Sequence, residues 1–84
     1  MNNRHRKTLE ALLAEPVNGN LDWSRIESLF MATGCRVIEG PGSAVTLEDG
    51  GHRANFHRPH PSKEALRYRI KAVREFLEKI GVNA

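Results

Sequence analysis

Two imidazoles fall within one short stretch, Phe56-His57-Arg58-Pro59-His60-Pro61-Ser62-Lys63, which also holds two cations. Metal-free RNA cleavage needs a base to take the 2′-hydroxyl proton and an acid to protonate the departing 5′-oxygen. Imidazole as a side-chain type suits both because it titrates near neutrality. A cation must offset the charge that builds on the pentacoordinate phosphorus, and Arg58 and Lys63 are close in sequence to both histidines. Plainer readings stand beside this one. His60 lies between two prolines that hold it extended, which suits a turn, and His57 also fits an ordinary exposed strand position. A metal site on His52, His57 and His60 is disfavoured, because no carboxylate or cysteine stands at ligand spacing and the three do not share a helix. No metal and no cofactor is expected.

A second constellation follows. Lys63, Arg67, Lys71 and Arg74 recur at helical spacing and form one basic stripe. Beside a helix N-terminus such a stripe is a natural phosphate track, and double-stranded-RNA-binding domains touch groove phosphates in this way. The competing reading is a solvated face, with Lys71–Glu75 and Arg74–Glu78 pairing at i,i+4. Arg4, Arg6 and Lys7 offer either a grip on a polyanion or a solubilising end. Cys35 reads as a small core residue, since no histidine is a clear local partner.

These residues need a scaffold. Arg4 to Glu15 reads as a short helix, with Leu9, Leu12 and Leu13 on one face, Lys7, Thr8 and Glu10 away from it, and Pro16 ending it. Asp22 caps a second helix, Trp23 to Thr33, in which Trp23, Ile26, Phe30 and Thr33 recur at 3-4-3 spacing with Leu29 beside them, and Arg25, Glu27 and Ser28 face outward. Gly34 closes it. Three strands are expected over Cys35–Glu39, Ser43–Glu48 and His52–Arg58, with a type I′ hairpin at Asp49-Gly50 between the last two. In the third strand Ala54 and Phe56 share one face, and Asn55 and His57 the other, away from the core. Pro61 and Ser62 open a last helix, whose buried stripe is Leu66, Ile70, Val73, Leu77 and Ile80. The order α-α-β-β-β-α predicts an α+β fold: a three-stranded antiparallel sheet with helices on one face and the other face open.

With 84 residues the chain makes one domain, and burial of about 60% of its unfolded surface leaves room for a surface groove rather than an enclosed cavity. One cysteine excludes an internal disulfide and favours a reducing, cytoplasmic setting. The apolar run behind the charged N-terminus is too short for a signal peptide, and no run approaches the roughly 18 residues of a membrane span. Net charge is +3, yet His52 to Arg74 carries seven basic residues against Glu64 alone. That density points to a polyanion, RNA first.

Taken together the chain resembles the HicA family of toxin–antitoxin toxins. The resemblance rests on Asn3-Arg4-His5-Arg6-Lys7-Thr8-Leu9-Glu10, Asp22-Trp23-Ser24-Arg25-Ile26-Glu27-Ser28-Leu29-Phe30, Glu39-Gly40-Pro41-Gly42-Ser43 and, above all, Phe56-His57-Arg58-Pro59-His60-Pro61. It implies a single domain over 1–84 with a double-stranded-RNA-binding-domain-like fold, residues 4–15 being an extra N-terminal helix. It implies a metal-independent endoribonuclease that cleaves mRNA, and a HicB-like antitoxin that covers the active surface in a hetero-oligomer. Typical members carry Gly-Ser-His at the start of the second strand, and that histidine is catalytic. Here Gly42 and Ser43 match, but Ala44 holds the third position. Three readings of that departure stand open: catalysis has moved to His57 or His60, it has been lost, or the histidine was replaced by design.

The resulting expectation is an RNA-cleaving toxin with His57 as first acid/base candidate and His60 second, and with Arg58, Lys63, Arg67, Lys71 and Arg74 on phosphates. A non-catalytic RNA-binding module is the alternative. A protein-interaction domain whose basic surface meets an acidic partner is the third reading.

Overall fold

The computed structural model describes residues 2–17, 19–59 and 67–82. His60, Pro61, Ser62, Lys63 and Leu66 lie outside the described residues. The chain forms helix α1 (Asn3–Leu13), helix α2 (Trp23–Ala32), strands β1 (Arg36–Glu39), β2 (Ala44–Asp49) and β3 (His52–His57), and helix α3 (Arg67–Lys79). The three strands make one antiparallel sheet in the order β1-β2-β3. The α+β class and the expected element order are therefore those of the protein.

Local chemistry explains most boundaries. The Asn2 side chain accepts from the His5 amide at 2.8 Å to cap α1. Asp22 caps α2 through the Ser24 amide at 2.9 Å. Gly34 and Gly81 end α2 and α3 with φ of +98° and +80°, a region that an L side chain rarely adopts. The β2–β3 turn departs from expectation by one residue. Asp49 pairs with His52, so the central residues are Gly50 and Gly51, at φ +55° and +88°. A type I′ turn needs positive φ at both central positions, and two glycines meet that need more cheaply than Asp-Gly.

The core lies between the helices and one face of the sheet. Val45, Leu47 and Phe56 from the strands meet Trp23, Ile26, Leu29 and Phe30 from α2 and Ile70, Val73, Phe76 and Leu77 from α3. Trp23 packs against Phe56 with ring centroids 5.3 Å apart, and Phe30 against Phe76 at 5.6 Å. Helix α2 packs on β1, α3 on β3, and α1 on both helices. Leu9 and Leu12 of α1 are buried in this core.

Thr8, expected on the outer side of α1, is fully buried instead. Its hydroxyl donates to the Arg4 carbonyl one turn back at 3.1 Å, which satisfies the polar atom and lets the methyl group pack. Ser28 is not turned out to solvent either, since its hydroxyl lies 3.0 Å from His5 Nε2 across the α1–α2 contact.

Candidate functional site at the open face of the sheet

Alternation along the strands sends Val45, Leu47 and Phe56 into the core and leaves Ala44, Thr46, Asn55 and His57 on the other face. The register makes Ala44 the cross-strand partner of His57, and Thr46 that of Asn55. The Arg58 amide donates to the Ser43 carbonyl at 2.8 Å, just beyond this pair. Ala44–His57 is therefore a non-hydrogen-bonded pair, the type whose side chains stand closest together. The imidazole Nδ1 lies 3.3 Å from the Ser43 hydroxyl. Next to it, Thr46 donates to Asn55 Oδ1 at 2.7 Å.

Position 44 is crowded on its other side by the β1–β2 turn. The Gly40 amide donates to the Ala44 carbonyl at 3.0 Å. A Cβ added at Gly40 would fall 3.0 Å from the Ala44 Cβ, so glycine is what permits this approach.

A groove of about 190 Å³ runs beside His57 between β3 and α3, lined by Asn55, Phe56, His57, Tyr68, Arg69 and Ala72. Tyr68 is 63% exposed. The Arg69 guanidinium carbon stands 5.4 Å from the Tyr68 ring centroid. Neither residue was singled out by sequence spacing, because the neighbouring row, Arg67 and Lys71, supplies the regular basic repeat. An exposed aromatic beside an arginine within the basic segment is the signal that could have found them.

The expected cations are placed differently from one another. Arg67 and Lys71 are exposed on α3. Arg74 turns toward the end of α1: its Nε donates to the Leu12 carbonyl, one terminal nitrogen donates to the Ala14 carbonyl at 2.6 Å, and the other pairs with Glu15 at 2.9 Å. It caps carbonyls that a helix end leaves unpaired.

Arg58 is held by two carboxylates. Nε and one terminal nitrogen donate to Glu27 at 2.7 and 2.9 Å, and both terminal nitrogens donate to Glu39 at 2.6 and 2.8 Å. These four bonds leave one of the five guanidinium N–H groups over. The Trp23 indole also donates to Glu27. Glu27, expected to face solvent, is thus the centre of a polar clamp joining α2 to the end of β3. The carboxylates hold the Arg58 guanidinium protonated well above its usual range, with Glu39 the larger influence. In return, hydrogen bonding from Arg58 lowers the Glu39 carboxyl below its ordinary value.

His57, Ala44, Asn55, Tyr68 and Arg69 therefore share one surface, while Arg58 and Arg74 are tied into the scaffold. His60 and Lys63 lie outside the described residues. The family model of the HicA toxin of bacterial toxin–antitoxin systems matches residues 23–82, which covers α2, the whole sheet and α3. The chain belongs to the HicA toxin family. No curated protein and no solved structure matches it. HicA membership implies an antitoxin partner, and the match spans every element that lines the groove. Helix α1 precedes the HicA match, although Leu9 and Leu12 pack into the same core. No helix among the described residues is long and apolar enough to cross a membrane.

Proposed function

We propose that this HicA toxin is a metal-independent endoribonuclease that cleaves mRNA at the open sheet face and is silenced by a HicB-like antitoxin covering that face. The observation that carries the reading is the pairing of His57 with Ala44. The resemblance to HicA toxins implies a histidine at position 44. His57 stands directly across the strand from it, so an imidazole still occupies that patch of the open face. In the reaction His57 takes the proton from a 2′-hydroxyl. The 2′-oxygen forms a bond to the adjacent phosphorus and the bond to the 5′-oxygen breaks. The departing oxygen takes a proton from the acid, a role assigned to His60. The products are a 2′,3′-cyclic phosphate and a 5′-hydroxyl.

Arg69, which lines the groove with His57, is the cation best situated to offset charge on phosphorus. Arg58 would have to leave its carboxylates to do so. Arg67 and Lys71 supply phosphate contacts farther along α3, and Lys63 is assigned to the same track. Arg74 contributes by fixing the helix that carries them.

A second reading, RNA binding without cleavage, is favoured by the same engagement of Arg58 together with the methyl group at Ala44. Incubating the protein with a long single-stranded RNA in EDTA separates the two. The expected result is fragments ending in cyclic phosphate. RNA that stays intact at high protein concentration, yet is bound with a steep salt dependence, replaces the nuclease with the binding module. Binding with no salt dependence removes RNA as the ligand.

A further inference from the structure

We infer that Tyr68 is a nucleobase-stacking platform that seats one unpaired base of the RNA beside His57, an inference that rests on the RNA-contact reading above. Three observations converge on this residue. Tyr68 is one of the few large apolar side chains left exposed among the described residues, at 63%. The others, Leu13 and Met31, are not aromatic and do not line this groove. Tyr68 lines the same groove as His57 and Asn55.

The charge around the ring favours an anionic polymer. Arg67, Arg69 and Lys71 flank it along α3, and among the described residues none of the three makes an ion pair. Arg36, Arg53, Arg58 and Arg74, by contrast, each have a carboxylate partner. An exposed aromatic between unpaired cations is how sequence-tolerant binders hold single strands: the ring stacks on a base and the cations follow the phosphates. The Arg69 guanidinium stands over one face of the Tyr68 ring, 5.4 Å from its centroid, which leaves the other face for a base.

A base-stacking groove also predicts a preference for single strands. A paired base is already stacked on both faces inside a helix and cannot lie against Tyr68. An unpaired base in the groove brings its own sugar and phosphate to the edge where His57 stands. Tyr68 acts here as a substrate-binding residue that sets which nucleotide meets the imidazole.

The test is the affinity of the full chain for a short single-stranded RNA carrying 2′-deoxy sugars, which cannot be cleaved, compared with a duplex of the same sequence. Tyr68→Ala should weaken single-strand binding roughly 5- to 150-fold, the range that one lost base–aromatic stack gives. Tyr68→Phe should bind within about twofold of the parent, because a phenyl ring stacks as well. Duplex affinity should not change in either variant. With an RNA scanned by abasic sites, the penalty of Tyr68→Ala should vanish at one position. Single-strand binding that survives Tyr68→Ala overturns the platform while leaving RNA binding in place. An equal loss for duplex and single strand overturns it too. A parent chain that binds neither RNA overturns the RNA-contact reading and the platform together.

Discussion

Replacing His57 with alanine should lower the rate of the proposed RNA cleavage by about 10² to 10⁴-fold, the contribution of a positioned general acid or base. The expectation follows from what surrounds it. Among the residues that line the groove, His57 is the one imidazole, and its cross-strand partner Ala44 offers only a methyl group. His57 is also exposed, so its removal should cost no more than about 0.5 kcal/mol of stability. The loss should therefore be confined to catalysis: His57→Ala should bind an uncleavable RNA within a few-fold of the parent. A variant that cleaves within tenfold of the parent would remove His57 from the reaction and leave position 60 as the candidate.

The second large effect concerns the clamp rather than the groove. Glu27→Ala should destabilise the fold by about 2–3 kcal/mol, between an exposed ion pair and a fully buried one. The Glu27 and Arg58 side chains are 13% and 33% exposed, which places the pair between those limits. The substitution removes two bonds to Arg58 and the acceptor of the Trp23 indole, and Trp23 itself is only 3% exposed. An indole N–H left without a partner in such a place is the costly part. For a domain of this size that corresponds to a fall in Tm of roughly 10–20 °C. A thermal melt showing less than about 3 °C would reduce the clamp to a surface ion pair. Because Arg58 immediately follows β3, the clamp also fixes the end of the strand that presents His57.

The sheet was legible because its chemistry is local. A two-residue period assigns each strand residue to a face, so Asn55 and His57 were separable from Ala54 and Phe56 without any knowledge of tertiary contacts. The same holds for the Asp22 cap and the closing glycines. The turn was misplaced by one residue because Asp-Gly and Gly-Gly are both good type I′ sequences, and only the strand register chooses between them. The clamp was invisible for a different reason. Glu27 and Arg58 are 31 positions apart. A helical pattern reports which way Glu27 leans but not that an arginine from another element reaches it. Arg74 likewise looked like a member of a regular basic stripe, and its partners at Leu12, Ala14 and Glu15 come from the other end of the chain. Thr8 lies off the leucine face by helical period, yet a hydroxyl bonded to its own helix can be buried at little cost.

The candidate site divides along the same line. Strand alternation puts Ala44 on the open face, but its partner depends on the turn: with Asp49-Gly50 at the centre Ala44 would face Asn55, and with Gly50-Gly51 it faces His57. The role of Tyr68 and Arg69 depends on how α3 lies against β3, and helical periodicity drew attention to Arg67 and Lys71 in the adjacent row. The proposed function requires RNA to meet this chain on the open sheet face and in the groove between β3 and α3. The most direct measurement is an NMR titration of the ¹⁵N-labelled protein with a 2′-deoxy-substituted single-stranded RNA. The amide signals of Ala44, Asn55, His57, Tyr68 and Arg69 should move together and saturate together. Shifts confined to the separate groove lined by Leu13, Arg74, Leu77, Glu78 and Val82, or no shifts at all, would contradict it.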